Sequence, residues 1–278
     1  MKYLFNHWGH LKEDLRNSRI ILFLDYDGTL TSIADTPDRA VLSKEARDIL
    51  YELSKNRGCK LAVISGRSLK DIKSVVGLKN IIYSGNHGLE IEGPKLKFES
   101  VVPSGFKKIV RKIKLDLLRR LAHIKGVILE DKGCTLSVHY RLVNEDNIHL
   151  VKTAFHEAII YYLVGNKIKI NTGKMILEVR PPIEWDKGRS VMWLLARQVF
   201  VSGGDPVLPV YIGDDVTDED AFSALRKKSL TIFVGMPKKS KAKYYLKSHK
   251  DVLKFLRMVN GLKKEQEHGR DTESKRIL

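Results

Sequence analysis

The sequence predicts an α/β protein: a doubly wound, mostly parallel Rossmann-like core into which a small α/β cap domain is inserted. Three observations carry this. Short, solidly apolar runs such as Ile20-Ile21-Leu22-Phe23-Leu24 and Leu61-Ala62-Val63-Ile64 alternate with segments of helical periodicity, and strands buried on both faces are the mark of a parallel sheet. The runs end in polar residues, Asp25-Tyr26-Asp27-Gly28-Thr29 after the first and Ser65-Gly66-Arg67 after the second, and ligands of a doubly wound sheet sit at the carboxyl ends of its strands. Third, between Ser65 and Lys187, where the alternation resumes, lies far more chain than the roughly 30 residues of one βαβ unit. A second module has to fill the gap.

Each element has its own signal. Ser43 is placed to N-cap a helix over Lys44 to Lys55, whose Ala46, Ile49, Leu50 and Leu53 fall at helical spacing, and Gly58 is placed to close it. Ser68 to Val76 reads as a helix and Ile81 to Tyr83 as a strand delivering Ser84-Gly85-Asn86-His87-Gly88. The inserted module reads as helix Phe106 to Leu121, strands Val127 to Glu130 and Thr135 to Tyr140, helix Asn147 to Leu163, and strands Lys167 to Asn171 and Met175 to Val179, a four-stranded antiparallel sheet left at Pro181-Pro182. The core continues with helix Arg189 to Val199, strands Val207 to Ile212 and Leu230 to Val234, and a helix near Val252 to Val259. The expected domains are therefore 1–100 with 183–278 for the core and 101–182 for the cap. Residues 262–278 are charged and lack apolar periodicity, so a frayed tail is expected there.

Composition narrows the class. A chain of 278 residues that is 43% hydrophobic is large and apolar enough for a buried core. Lys and Arg number 50 against 33 acidic residues, a net charge of +17 that favours anionic partners. Two cysteines, Cys59 and Cys134, make no disulfide framework. With an N-terminus lacking the order of a signal peptide and no apolar run near ~20 residues, a cytoplasmic protein that neither enters nor spans a membrane is expected. No zinc-spaced Cys/His cluster, dinucleotide fingerprint or Walker motif occurs. The basic residues from Lys107 to Arg120 surround an apolar stripe of Ile109, Val110, Ile113, Leu117, Leu118 and Leu121. A cap helix with a solvated basic face accounts for that pattern without a nucleic-acid or lipid partner, and the run Lys238-Lys239-Ser240-Lys241-Ala242-Lys243 reads as solvated surface.

The strand ends carry the chemistry. Asp25 and Asp27 place two carboxylates two residues apart at an extended strand end, where a hard cation holds one and leaves the other to handle protons. Aspartate is also a known nucleophile toward phosphorus. Two aspartates satisfying turn amides would give the same pattern. Ser65-Gly66-Arg67 opens a helix, so its hydroxyl and amides suit an anion, although an N-cap explains Ser65 as well. Lys187 could neutralise a phosphoryl oxygen and keep a carboxylate ionised, or lie in solvent. Asp214, Asp215, Asp218, Glu219 and Asp220 crowd one strand end, a self-repelling cluster that a cation would relieve.

Taken together, these four segments resemble the signature of the haloacid dehalogenase superfamily of phosphatases. More narrowly, LDYDGTLTSIADTPDRA, ISGRS, SGNHGLEIEG, LEVRPPIEWDKGRS and GDDVTDEDAF look like the trehalose-6-phosphate phosphatases, over about Ile21 to Val234. The resemblance implies hydrolysis of trehalose 6-phosphate with Mg²⁺ through an aspartyl-phosphate. Asp25 would be the nucleophile and Asp27 the general acid and base. Mg²⁺ would be held by the Asp25 carboxylate, the Asp27 carbonyl and Asp214, with Asp215 and Asp218 completing or supporting the site. Ser65 and Lys187 would grip the transferring phosphoryl group. Asn86, His87, Glu90, Glu130, Lys132, Arg141, Lys174 and Glu178 resemble positions that bind the disaccharide, though each also reads as ordinary surface charge and His87 as a loop histidine. The partner implied is a small sugar phosphate acted on by a monomer. A phosphatase of sucrose 6-phosphate or mannosyl-3-phosphoglycerate is the neighbouring alternative, and a basic nucleic-acid-binding or catalytically dead regulatory module on this scaffold the remote one.

Overall fold

The computed structural model describes residues 1–201, 207–225, 229–237 and 239–276. Lys238 of the expected basic run and the last two residues of the expected tail lie outside them. In chain order come β1 (Lys2–Tyr3), α1 (Trp8–Asn17), β2 (Arg19–Asp25), α2 (Lys44–Lys55), β3 (Cys59–Ile64), α3 (Leu69–Val76), β4 (Ile82–Gly85), β5 (Glu90–Gly93) and β6 (Leu96–Glu99). There follow α4 (Phe106–Arg120), β7 (Ile128–Asp131), β8 (Leu136–His139), α5 (Ile148–Val164), β9 (Lys169–Gly173) and β10 (Ile176–Arg180). The chain then runs through α6 (Lys187–Val201), β11 (Val207–Gly213), α7 (Asp218–Ala224), β12 (Leu230–Val234), β13 (Tyr244–Leu246) and α8 (His249–Arg276). Two compact units result, Met1–Phe98 with Asp186–Leu278, and Glu99–Trp185.

The first unit is built on a nine-stranded sheet in the order β1-β13-β12-β11-β2-β3-β4-β5-β6. It is parallel from β1 through β4, and β5 returns antiparallel on β4. Alternation along β2 sends Ile20, Leu22 and Leu24 into one core with α2, α3 and α8, and Ile21 and Phe23 into another with Val191, Tyr211 and Phe222. Both faces are covered, which is why these strands read as unbroken apolar runs. Burying each such side chain contributes roughly 1.5–3 kcal/mol relative to exposure. In the register, Asp25 pairs with Ile64, Ile64 with Ser84 and Leu24 with Ile212. The carboxyl ends of β11, β2, β3 and β4 therefore lie level, and the polar segments leave the sheet side by side.

Local signals act where the sequence puts them, with corrections. Ser43 Oγ accepts from Ala46 N at 3.1 Å and caps α2, but the helix ends on Asn56, whose side chain accepts from Gly58 N at 2.8 Å, so Gly58 does not close it. α8 carries past Gly261 to Arg276, with Leu262 and Lys263 buried, so the chain from 262 continues as helix where a frayed tail was expected. Lys263 Nζ donates to Arg16 O at 3.3 Å and Ser18 O at 2.5 Å, which satisfies carbonyls at the end of α1.

The second unit pairs β7-β8-β10-β9 into an antiparallel sheet, with α4 and α5 sharing one apolar core with it. Strand limits fall within two residues of those expected. Phe106, Val110, Ile113 and Leu117 of α4 are buried while Lys107, Lys108, Arg111, Lys112 and Arg119 are exposed, as an amphipathic helix on its sheet requires. Among the described residues no helix is long and apolar enough to cross a membrane.

Candidate active site

At the level strand ends, Asp25 closes β2 and is buried. Lys187, the first residue of α6, is equally buried, and its Nζ donates to Asp25 Oδ1 at 2.7 Å and to Asp218 Oδ1 at 2.8 Å. A solvated lysine is thereby excluded. Asp218, at the start of α7, accepts four hydrogen bonds: Lys187 and Tyr211 OH (2.7 Å) on Oδ1, and the backbone N–H groups of Asp214 and Asp215 (2.9 Å each) on Oδ2. The approach depends on glycine, since a Cβ on Gly213 would lie 2.3 Å from Asp218 Cγ. Gly28 has a left-handed φ of 88°, and a Cβ there would fall 2.2 Å from Asp214 Oδ2, so this turn lets the Asp214 carboxylate lie against it.

Burial sets the charge states. It pushes the Asp25 carboxyl well above its ordinary value; Lys187 offsets this in part, while Asp218 and Asp214 add to it. Burial alone would push the Lys187 ammonium down, but Asp218 and Asp25 outweigh it and hold the lysine above its usual range. For Asp218 burial pushes up, yet the lysine and the donated hydrogen bonds prevail and hold its carboxyl below the usual value.

Asp27 lies beyond the strand, in the turn, and not on one strand face with Asp25. Arg67 forks onto it, Nε to Oδ2 and NH2 to Oδ1, both 2.8 Å. The same guanidinium donates to Asp71 Oδ2 at 2.7 Å and Pro37 O at 2.6 Å, and stands 5.1 Å from the Tyr26 ring centroid. Arg67, expected to bind substrate as part of the Ser65-Gly66-Arg67 segment, has its guanidinium on Asp27, Asp71 and Pro37 O. Its side chain is buried while that of Asp27 is 45% exposed, so the fork holds one oxygen pair at the solvent edge. Ser65 Oγ accepts from Arg67 N at 3.1 Å, and the N-cap of α3 is Ser68, not Ser65. Asn86 and His87 both have left-handed φ, 49° and 56°; Asn86 Nδ2 donates to Glu90 Oε2, and the His87 ring occupies the space a Gly66 side chain would need. Thr29 Oγ1 is buried without a hydrogen-bond partner.

In the second unit the register aligns Glu130 on β7, Ser137 on β8, Glu178 on β10 and Asn171 on β9 as one row across all four strands. Glu178, only 2% exposed, takes Ser137 Oγ at 3.1 Å and Lys132 Nζ at 3.2 Å on Oε1, and Arg180 Nε lies 3.9 Å from Oε2. Glu130 faces Lys132 at 3.7 Å and His139 Nε2 at 2.8 Å. Arg141 and Lys174 meet at the other end of β8, where Arg141 NH2 donates to Lys174 O at 3.0 Å.

Residues 23–250 match the family model for trehalose-phosphatase. The chain belongs to the trehalose-phosphatase family. It is 38% identical over 247 residues to a probable trehalose-phosphate phosphatase 4 of Oryza sativa subsp. japonica, covering 87% of this chain and 66% of that protein. It thus spans about two thirds of the rice protein. The solved C-terminal domain of C. albicans trehalose-6-phosphate phosphatase is 26% identical with a TM-score of 0.78, over 91% of this chain and 97% of that one. A haloacid dehalogenase-like hydrolase from Bacteroides thetaiotaomicron shares the fold at 16% identity and a TM-score of 0.62, over 87% and 100%. Members of the family are phosphoric monoester hydrolases, and the mostly parallel core with a separate antiparallel sheet is their architecture.

The trehalose-phosphatase core carries a donor set that fits a metal ion. Asp25, Asp214 and Asp218 are all buried, and each offers an oxygen within 4.8 Å of the others. Three buried carboxylates against the single Lys187 ammonium make a negative, all-oxygen cluster of the kind a hard divalent cation neutralises. Asp218 already has two donors on each oxygen, so of the three carboxylates it is the least suited to turn to a cation. Sequence reasoning missed Tyr211, which reads as one more apolar strand residue between Val210 and Ile212. It also missed Ser137, His139 and Arg180, whose place in the polar row depends on strand register. Alternating pattern in β8 was the available signal for Ser137 and His139.

Proposed function

We propose that this chain hydrolyses trehalose 6-phosphate to trehalose and phosphate, with Asp25 as the nucleophile. An Asp25 carboxylate oxygen attacks phosphorus while the phosphorus–sugar oxygen bond breaks, and Asp27 gives a proton to the leaving sugar oxygen. Asp27 then takes a proton from water as that water attacks the aspartyl-phosphate, releasing phosphate and restoring both carboxyl groups. Lys187 stands against Asp25 as the cation that favours its ionised form and meets the charge of the transferring group. Ser65 Oγ and the neighbouring backbone amides bind phosphoryl oxygens. Arg67 holds Asp27 in position for both proton transfers. Asp25, the Asp27 carbonyl and Asp214 would hold Mg²⁺, and Asp218 braces that site. When bound, Mg²⁺ supplies charge neutralisation at the phosphoryl oxygens. The sugar is recognised by the polar row of Glu130, Lys132 and Glu178, with Arg141, Lys174, Asn86, His87 and Glu90 as further contacts. The protein works as a cytoplasmic monomer on this small molecule, a compartment that suits its two buried free cysteines.

The observation that carries the reading is the Lys187 ammonium held between Asp25 at 2.7 Å and Asp218 at 2.8 Å beside a third carboxylate, Asp214. Phosphate release should be measured from trehalose 6-phosphate, sucrose 6-phosphate, mannosyl-3-phosphoglycerate and p-nitrophenyl phosphate, with and without Mg²⁺. Preference for trehalose 6-phosphate that depends on Mg²⁺ supports it, and preference for either rival sugar phosphate overturns the substrate.

A further inference from the structure

Tyr211 sits in the interior of the sheet, paired with Phe23 on β2 and Thr231 on β12, and is fully buried. Its ring lies stacked 6.4 Å from Phe23 and edge-on 5.6 Å from Phe222. A phenylalanine would fill that space equally, so packing leaves the hydroxyl unexplained. The hydroxyl is 2.7 Å from Asp218 Oδ1, the same oxygen that receives Lys187 Nζ at 2.8 Å. On the other oxygen the two backbone N–H groups fix the carboxylate by one edge only. About that edge it could still tilt, and Tyr211 is the donor that stops the tilt from the sheet side.

We infer that Tyr211 is a positioning residue: by anchoring Asp218 from beneath, its hydroxyl holds the Lys187 ammonium forward against Asp25. With only part of Asp218 Oδ1 left for it, the ammonium keeps its second bond to Asp25. Remove the phenolic donor and Oδ1 draws more strongly on Lys187 alone, pulling it back from the reacting carboxylate. The effect falls on the transition state, where charge on the transferring group is greatest, and not on recognition of the sugar. This inference rests on Asp25 as nucleophile and Lys187 as its cation.

The test is Tyr211→Phe, which keeps the ring and deletes the hydroxyl. The assay uses the full chain with trehalose 6-phosphate at saturating Mg²⁺, and rates are expressed per natively folded molecule from the unfolding curve at assay temperature. The kcat should fall by about 10–100-fold, the worth of one hydrogen bond to a charged group, with KM within about twofold. A merely structural role would lower the folded fraction and leave kcat per folded molecule unchanged, and that result overturns the inference. Lys187→Ala run beside it separates the two levels. If Lys187→Ala retains full kcat, the underlying reading fails; if it loses kcat while Tyr211→Phe does not, only the role of Tyr211 fails.

Discussion

Arg67 and Asp27 meet as a two-pronged pair, Nε on Oδ2 and NH2 on Oδ1, each at 2.8 Å. They are 40 residues apart in sequence and come from the loops after adjacent strands β2 and β3. A planar fork fixes the carboxylate plane as no single ammonium can. Arg67→Lys should therefore keep the charge and lose the aim. We expect kcat to fall at least about 10-fold on trehalose 6-phosphate and by less on p-nitrophenyl phosphate, whose leaving group needs less protonation. The melting temperature should drop as well, since Pro37 O and Asp71 lose their donor. Unchanged kcat on both substrates would remove Arg67 from the proton-transfer apparatus.

Asp27→Asn should lose mainly proton transfer, a factor of roughly 10²–10⁴, and the loss should be smaller for p-nitrophenyl phosphate, whose leaving group needs less protonation. Equal losses on the two substrates would argue that Asp27 acts by some other route.

Metal binding should depend on pH with a definite sign. Burial raises the Asp25 carboxyl above its ordinary value, so in the metal-free protein a proton competes for the oxygen a cation needs. Mg²⁺ affinity should rise as pH increases through that raised value and level off above it, with a proton released on binding. Bound Mg²⁺ should also stabilise the fold, by about 2.7 kcal/mol at 100 times its Kd. Melting curves with and without Mg²⁺ at several pH values check both points. A shift that is larger in acid would contradict them.

Sugar specificity should separate from phosphoryl chemistry at Glu178. Its Oε1 gathers Ser137 and Lys132, so Glu178→Ala leaves a buried lysine without that carboxylate and disorders the row. Hydrolysis of trehalose 6-phosphate should fall at least about 10-fold. For p-nitrophenyl phosphate, which has no sugar, kcat/KM should stay within about threefold. Equal losses would assign Glu178 to the fold of its unit instead.

The parallel core was legible because its strands are buried on both faces, which leaves no polar residue inside β2 and puts Asp25, Ser65 and Asp214 at visible breaks in apolar runs. What the pattern cannot carry is direction. That Arg67 turns to Asp27, and that Asp218 spends its oxygens on Lys187, Tyr211 and two amides, depends on contacts between segments far apart in the chain. Short elements escaped for a different reason: β1 and β13 have two and three residues, too few for a period to register. The extension of α8 was hidden because Lys263 is buried through hydrogen bonds to carbonyls at the end of α1, so a charged residue does the work periodicity assigns to an apolar one.

The central claim is that phosphate passes through Asp25. Trehalose 6-phosphate carrying labelled phosphate should be mixed with the enzyme and Mg²⁺, quenched in acid within one turnover, and the protein digested and mapped. The account predicts label on the peptide containing Asp25, convertible to homoserine at that position by borohydride, and none in Asp25→Asn, which should be inactive yet folded. Label on any other residue, or turnover by Asp25→Asn, would contradict it.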